Sequence, residues 1–180
     1  MNLKPFRSID EQEVVNLFKL DSGTGDKGSL VVIQGSGFKS DENLQWANNA
    51  GTPANVTNPR WSVPAEVRLS NSGETKNTIF GVMLYDVRDT SYLDRPMQWD
   101  PTRKAERQCV ASGEAVPVLV RGYILASGYE GTAGPNSGIV AGDGGNGAWK
   151  VVAPGTTGSI GKFLGIADDN GYALAYIDCI

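Results

Sequence analysis

The sequence predicts an all-β fold, a small antiparallel sandwich or barrel with an extended N-terminal hairpin arm. Three observations carry this. From Tyr172 onward the chain alternates: Tyr172, Leu174 and Tyr176 fall on one side, and Ala173, Ala175 and Ile177 on the other. Glycine is 23 of 180 residues, about 13% against a usual ~7%, and with nine prolines it favours turns over long helices. Seven short β-prone runs, separated by turn residues, fall within about 115 residues after position 64.

Taken in order, residues 1–40 open with a charged, short piece of helical character, in which Ser8 and Glu11 have capping-box spacing. VVNLFKLD and SLVVIQGSG then flank the turn-rich SGTGDKG and are expected to pair as a hairpin, the arm. Residues 41–63 are polar and irregular, rich in Asn, and read as a linker. The main β domain spans 64–180. Its strands are expected near Ala65–Ser70, Thr78–Val87, Arg107–Ala111, Ala115–Ser127, Ala148–Ala153, Lys162–Asp168 and Tyr172–Asp178. Between the second and third lies DTSYLDRPMQWDPTRKAE, and an irregular loop of that length is usually functional or disordered.

Composition narrows the function classes. A single domain of this size buries roughly 70% of its unfolded surface and needs no covalent staples. The net charge of −4 disfavours binding to bare nucleic acid, which needs clustered Lys and Arg. No run approaches the ~18 apolar residues of a membrane span, and MNLKPFRSIDEQE has no apolar signal core, so synthesis in a cytoplasm is expected. Two cysteines 70 positions apart, with no histidine anywhere, spell no zinc motif. Cys109 and Cys179 read as small apolar residues inside strands, able to pair only if their Cα atoms lie within about 7 Å.

Catalytic signals are thin. Without histidine, the commonest general base and metal ligand are missing. Gly142-Asp143-Gly144-Gly145-Asn146-Gly147 has the letters GxGxxG, but the following Ala148-Trp149-Lys150-Val151-Val152 reads as a strand, not the helix a dinucleotide phosphate needs. A hairpin loop is the better reading. Asp168-Asp169-Asn170-Gly171 looks like part of a calcium loop, yet no Glu follows to complete one, so a tight turn is expected. Asp86, Asp89 and Asp94 read as a solvated loop edge, and Asn55-Val56-Thr57 as a chance sequon. No cofactor and no enzymatic activity are expected.

Three stretches carry a family resemblance: PAEVRLSNSGETKNTIFGVMLYDVRD, CVASGEAVPVLVRGYI and GKFLGIADDNGYALAYID. Over about residues 60–180 the chain resembles the capsid decoration, or cement, proteins of tailed bacteriophages. The resemblance implies a β-tulip-like fold and a non-enzymatic virion protein. Such a protein sits on the outer capsid surface and clamps neighbouring major capsid subunits. It further implies self-association, as trimers at local three-fold positions or as two-fold dimers. The N-terminal zone would be the arm that adds to a sheet edge on the shell, with Phe6, Val14, Leu17, Phe18 and Leu20 as its apolar grips. On that reading residues 1–30 are dispensable for folding, and Phe18→Asp weakens capsid binding without lowering the melting temperature.

A reading from another class is a carbohydrate-binding module or a head or tail fibre component. It needs Trp99 and Trp149 exposed on one face. An enzyme would need paired carboxylates such as Asp86 and Asp94 in a cleft.

Overall fold

A computed structural model describes residues 2–5, 13–35, 65–90 and 101–180. Phe6, the Ser8–Glu11 pair, the linker over 41–63 with its sequon, Asp94, Trp46, Trp61 and Trp99 lie outside the described residues. The elements are β1 (Asn2–Pro5), β2 (Glu13–Leu20), β3 (Leu30–Gln34), β4 (Glu66–Leu69), β5 (Ile79–Met83) and β6 (Asp86–Val87). After them come α1 (Pro101–Arg107), β7 (Cys109–Val110), β8 (Val116–Ser127), β9 (Gly138–Ala141), β10 (Trp149–Val152), β11 (Gly161–Phe163) and β12 (Ala173–Asp178).

The all-β expectation is met, and the architecture is a barrel with additional strands. Nine strands run in the order β10-β9-β11-β12-β8-β2-β4-β3-β5, and β5 returns to β8. That return closes a five-stranded barrel of β8, β2, β4, β3 and β5. Pairing is antiparallel except for β2 with β4 and the small β6–β7 sheet. Closure leaves the barrel strands without the unpaired edges that invite aggregation. It requires β5 to approach β8 closely at Gly81, where a Cβ would stand 2.4 Å from the Leu119 carbonyl oxygen. Any side chain there would push the two strands apart.

β8 belongs to two structures at once. Its first half pairs with β2 on one edge, through Val14↔Leu119, and with β5 on the other, through Val82↔Leu119. Its second half pairs with β1 and β12, with Ala126 opposite both Leu3 and Ala173. The even-numbered face changes role between the halves. Val116 and Val118 belong to the barrel's own apolar cluster, whereas Ile124 and Ala126 belong to the cluster between the barrel and the outer strands. Gly122 lies at this crossover with a φ of 151°, a conformation that disfavours any side chain.

Two cores result. Phe18, Leu20, Val31, Val67, Met83, Val116 and Val118 pack together in the barrel cluster. Leu30, Val32, Val82 and Leu119 pack with Ile139, Trp149, Phe163 and Ile177 of the outer strands. Adjacent residues of one strand therefore enter different cores. This is why LVV of β3 and VLV of β8 are apolar without a polar alternate: both faces are buried. Trp149, fully buried, joins the layers further, its indole N–H donating to the Gly28 carbonyl at 2.7 Å.

The N-terminal arm is corrected by this topology. β2 and β3 do not pair; β4 lies between them, antiparallel to β3 through Val31↔Leu69 and parallel to β2 through Leu20↔Val67. The SGTGDKG segment is not a tight turn because its backbone is bonded elsewhere. Gly28 N–H donates to the Met83 carbonyl, and Lys27 N–H to the Asp86 carboxylate. Phe18 and Leu20 are 4% and 2% exposed, so they belong to this chain's own core and are unavailable to a partner. Phe18 also packs edge-on against Phe80, with centroids 5.0 Å apart. Asn2–Pro5 form β1, and the Ser8–Glu11 pair that carried the helical expectation lies outside the described residues. The long run Thr78–Val87 is broken into β5 and β6, and the run after Lys162 ends at Phe163. β9 and α1 were not expected.

Phe18→Asp places a carboxylate in an apolar interior, so the account predicts destabilisation of about 3–5 kcal/mol. The free protein's melting temperature should fall by about 6–20 °C. An unchanged melting temperature in a thermal scan would contradict this placement of β2.

Candidate functional site

The second half of β8, with β12 and β11, buries one face and turns the other outward. Ala173, Ala175 and Ile177 point into the core, as the alternation from Tyr172 predicts. The outward residues fall into rows across the strands, because paired positions share a face. The first row is apolar: Leu125 pairs with Leu174, and Leu164 N–H donates to the Leu174 carbonyl at 2.9 Å. Leu164 and Ile166, in the β11–β12 connection, are 40% and 75% exposed. The second row sets Tyr123 opposite Tyr176, ring centroids 4.9 Å apart, and Tyr176 opposite Lys162.

The third row is charged. Arg121 Nε donates to Asp178 Oδ1 at 3.1 Å, and Lys76 Nζ lies 3.4 Å from Asp178 Oδ2. Arg121 also reaches Glu13 of β2 at 3.4 Å. Partial burial opposes the charge on Asp178, but the Arg121 hydrogen bond and the Lys76 ammonium outweigh it. Together they hold the carboxyl below its ordinary range. Beyond this row a cleft of about 430 Å³ opens between the sheet and the loop Pro154–Ser159. Tyr176, Lys162, Lys76, Asp178 and Asn136 line it.

The turn over Asp168–Gly171 shapes the tip of this face. Asp168 Oδ1 accepts from Asn170 N–H at 2.9 Å and Tyr172 N–H at 2.8 Å, so the aspartate is a turn residue, as expected. The Gly142–Gly147 run is the β9–β10 hairpin loop, also as expected. The Glu130 carboxylate holds it by accepting from Asp143 and Gly144 N–H at 3.1 and 3.2 Å. That pin has no local signal in the sequence, since Glu130 comes from the opposite side of β9.

Of the four expected grips among the described residues, one is exposed. Leu17 is 47% exposed. Val14 is half-buried against the inter-sheet core. Phe18 and Leu20 are interior, so the four described residues do not form one surface, and Phe6 lies outside the described residues. Sequence reasoning missed Leu164 and Ile166, which read simply as strand residues. The usable signal was that the alternation starts at Tyr172 and leaves Leu164 and Ile166 with no opposite-face partner inside a strand.

The other candidates are structural. Asp86 Oδ1 accepts from Lys27 N–H at 2.6 Å, and Asp89 Oδ1 accepts from Ser112 N–H at 3.1 Å. Burial of Trp149 removes it from any exposed aromatic platform. Cys109 and Cys179 are free thiols, and burial pushes that of Cys179 up to about 12. Among the described residues no group of Cys, Asp and Glu is placed to hold a metal ion. No described helix is long and apolar enough to cross a membrane. No protein-family model matches the chain, and no curated protein matches it.

A carboxyl with a depressed folded pKa stabilises above its unfolded pKa, and that contribution is lost as the pH falls through the folded value. Stability should therefore decline as the pH drops below about 4, the unfolded aspartate range. Asp178→Asn should be less stable than wild type at neutral pH and should lose less over that acid range. Parallel stability-versus-pH curves, measured by urea unfolding, would contradict the Arg121–Asp178–Lys76 assignment.

Proposed function

We propose that this chain is a structural virion protein that binds the outside of a tailed-phage capsid and stabilises contacts between major capsid subunits. One observation carries the reading furthest. The chain's cores are closed within its own body, yet Leu164 stands exposed beside the Leu125–Leu174 row, and Ile166, two residues further along the same connection, is more exposed still. They lie in the same 161–178 stretch that resembles the decoration proteins. Single exposed apolar residues are ordinary, but several exposed apolar residues grouped at one end of a sheet face are the character of a protein-binding surface.

The contact thus moves from the N-terminal segment to the β11–β12 end of the outer face. A rigid, prefolded face gives up less entropy on binding than an arm that must order. The role is non-enzymatic and needs no cofactor. Self-association, as a trimer or a dimer, would present several such faces to the lattice and raise avidity without new contacts. The protein would be made in the host cytoplasm and end on the capsid surface.

The test is co-sedimentation with expanded capsids lacking decoration, imaged by electron microscopy. Wild type should pellet and give regular added density at symmetry positions. Ile166→Asp should weaken pelleting about tenfold or more, with a melting temperature unchanged because the position is exposed. Wild type that stays in the supernatant would overturn the capsid role. Normal binding by Ile166→Asp would overturn the assigned face.

A further inference from the structure

We infer that the cleft beside Tyr176 is a binding site for an acidic sugar, a hexuronic acid unit of an anionic glycan. This is independent of the capsid contact, which uses the apolar end of the same sheet. The cleft's volume of about 430 Å³ lies within the ~300–1,000 Å³ common for small-molecule sites.

Its lining has three parts that match such a ligand. The first is an aromatic wall. Tyr176 is held by Tyr123 at 4.9 Å, so its ring is preorganised, and an amphipathic tyrosine suits the mixed faces of a pyranose. The second is an acceptor and donor set for hydroxyls. Asp178 is fixed by Arg121 at 3.1 Å and Lys76 at 3.4 Å, and as a carboxylate keeps acceptor capacity. Asn136 adds an amide with both donor and acceptor. Thr156 and Ser159 spend their hydroxyl protons on the Ala153 and Thr156 carbonyls, at 2.7 and 2.9 Å, which leaves their oxygens as acceptors.

The third part sets the charge. Lys76 is shared with Asp178, whereas Lys162 makes no ion pair among the described residues and lines the cleft. Lys76, Lys162 and Asp178 together sum to +1, in a chain whose net charge is −4. One uncommitted ammonium matches one carboxylate. A phosphoryl group carries closer to two charges and is better met by an arginine fork, and no arginine lines this cleft. A neutral sugar would leave Lys162 unused.

The experiment is an amide-resolved NMR titration of the full chain with glucuronate, glucose, acetate and inorganic phosphate in parallel. Glucuronate should shift the Gly161, Lys162 and Tyr176 amides saturably, with a millimolar dissociation constant. Glucose and acetate should each bind at least about tenfold more weakly, since each supplies half of the recognition. Lys162→Met and Tyr176→Ala should each weaken glucuronate at least about tenfold, while the melting temperature of Lys162→Met stays that of wild type. Absence of a saturable glucuronate shift would overturn the site. So would equal binding of glucose, equal binding of acetate or phosphate, or unaltered binding by Lys162→Met. Capsid co-sedimentation by the same two variants should be normal, so failure here is distinguishable from failure of the decoration role.

Discussion

The structure depends on β8 serving as a wall of the barrel along one half and a central strand of the outer sheet along the other. A strand of 12 residues spans both because its side chains change core at Gly122. Before that point Val116 and Val118 enter the barrel cluster; after it Ile124 and Ala126 enter the cluster between the layers. Without β8 the barrel loses two of its pairings, to β2 and β5, and the outer sheet loses its pairings to β1 and β12. The N-terminal strands are therefore structural parts of the same body that carries the C-terminal hairpin. Leu119 illustrates the constraint. It is register partner to both Val14 and Val82 and is fully buried in the inter-layer core.

The outward face inherits its order from that arrangement. Pairing in register turns single residues on β8, β12 and β11 into rows, so the apolar, aromatic and charged groups are segregated rather than mixed. The ion-pair row also ties three parts of the chain together: Glu13 of β2, Lys76 before β5, and Asp178 at the end of β12. Each of these pairs is partly exposed, so none contributes much to stability alone. Their effect is geometric, since they fix the end of β12 and with it the wall of the cleft. The apolar row is free of that network and is bordered instead by the Asp168 turn. One face thus presents two chemically different surfaces, one suited to a protein and one to a polar ligand.

Much of this was legible where local pattern and environment agree. The Tyr172–Asp178 alternation gave the buried face of β12 correctly, because one side is core and the other solvent. Gly142–Gly147 and Asp168–Gly171 read as turns, because their residues favour turns regardless of context. Legibility failed where the answer is non-local. VVNLFKLD and SLVVIQGSG look like hairpin partners, but β4, which follows a long intervening stretch, pairs between them. Nothing in a single strand states its neighbours. The apolar run containing Phe18 is equally consistent with an adhesive arm and with a barrel wall, since both want apolar residues on a strand. α1 did carry a signal, with Pro101 at the first helical position and Lys104 and Arg107 in the last turn, but it is only seven residues long within a loop-like stretch. β9, four residues between glycine-rich turns, carried almost none. The candidate face was the least legible of all, because its rows exist only once three strands are in register.

The central claim, that β8 makes the barrel and the outer sheet one cooperative unit, is tested most directly by native-state hydrogen exchange across that strand in increasing denaturant. The account predicts that the slowest amides around Val118 and those around Ile124 exchange through a single opening. They should then share one free energy and one denaturant slope. Two openings of clearly different free energy, one for each half of β8, would contradict it and would make the barrel and the outer sheet separate folding units.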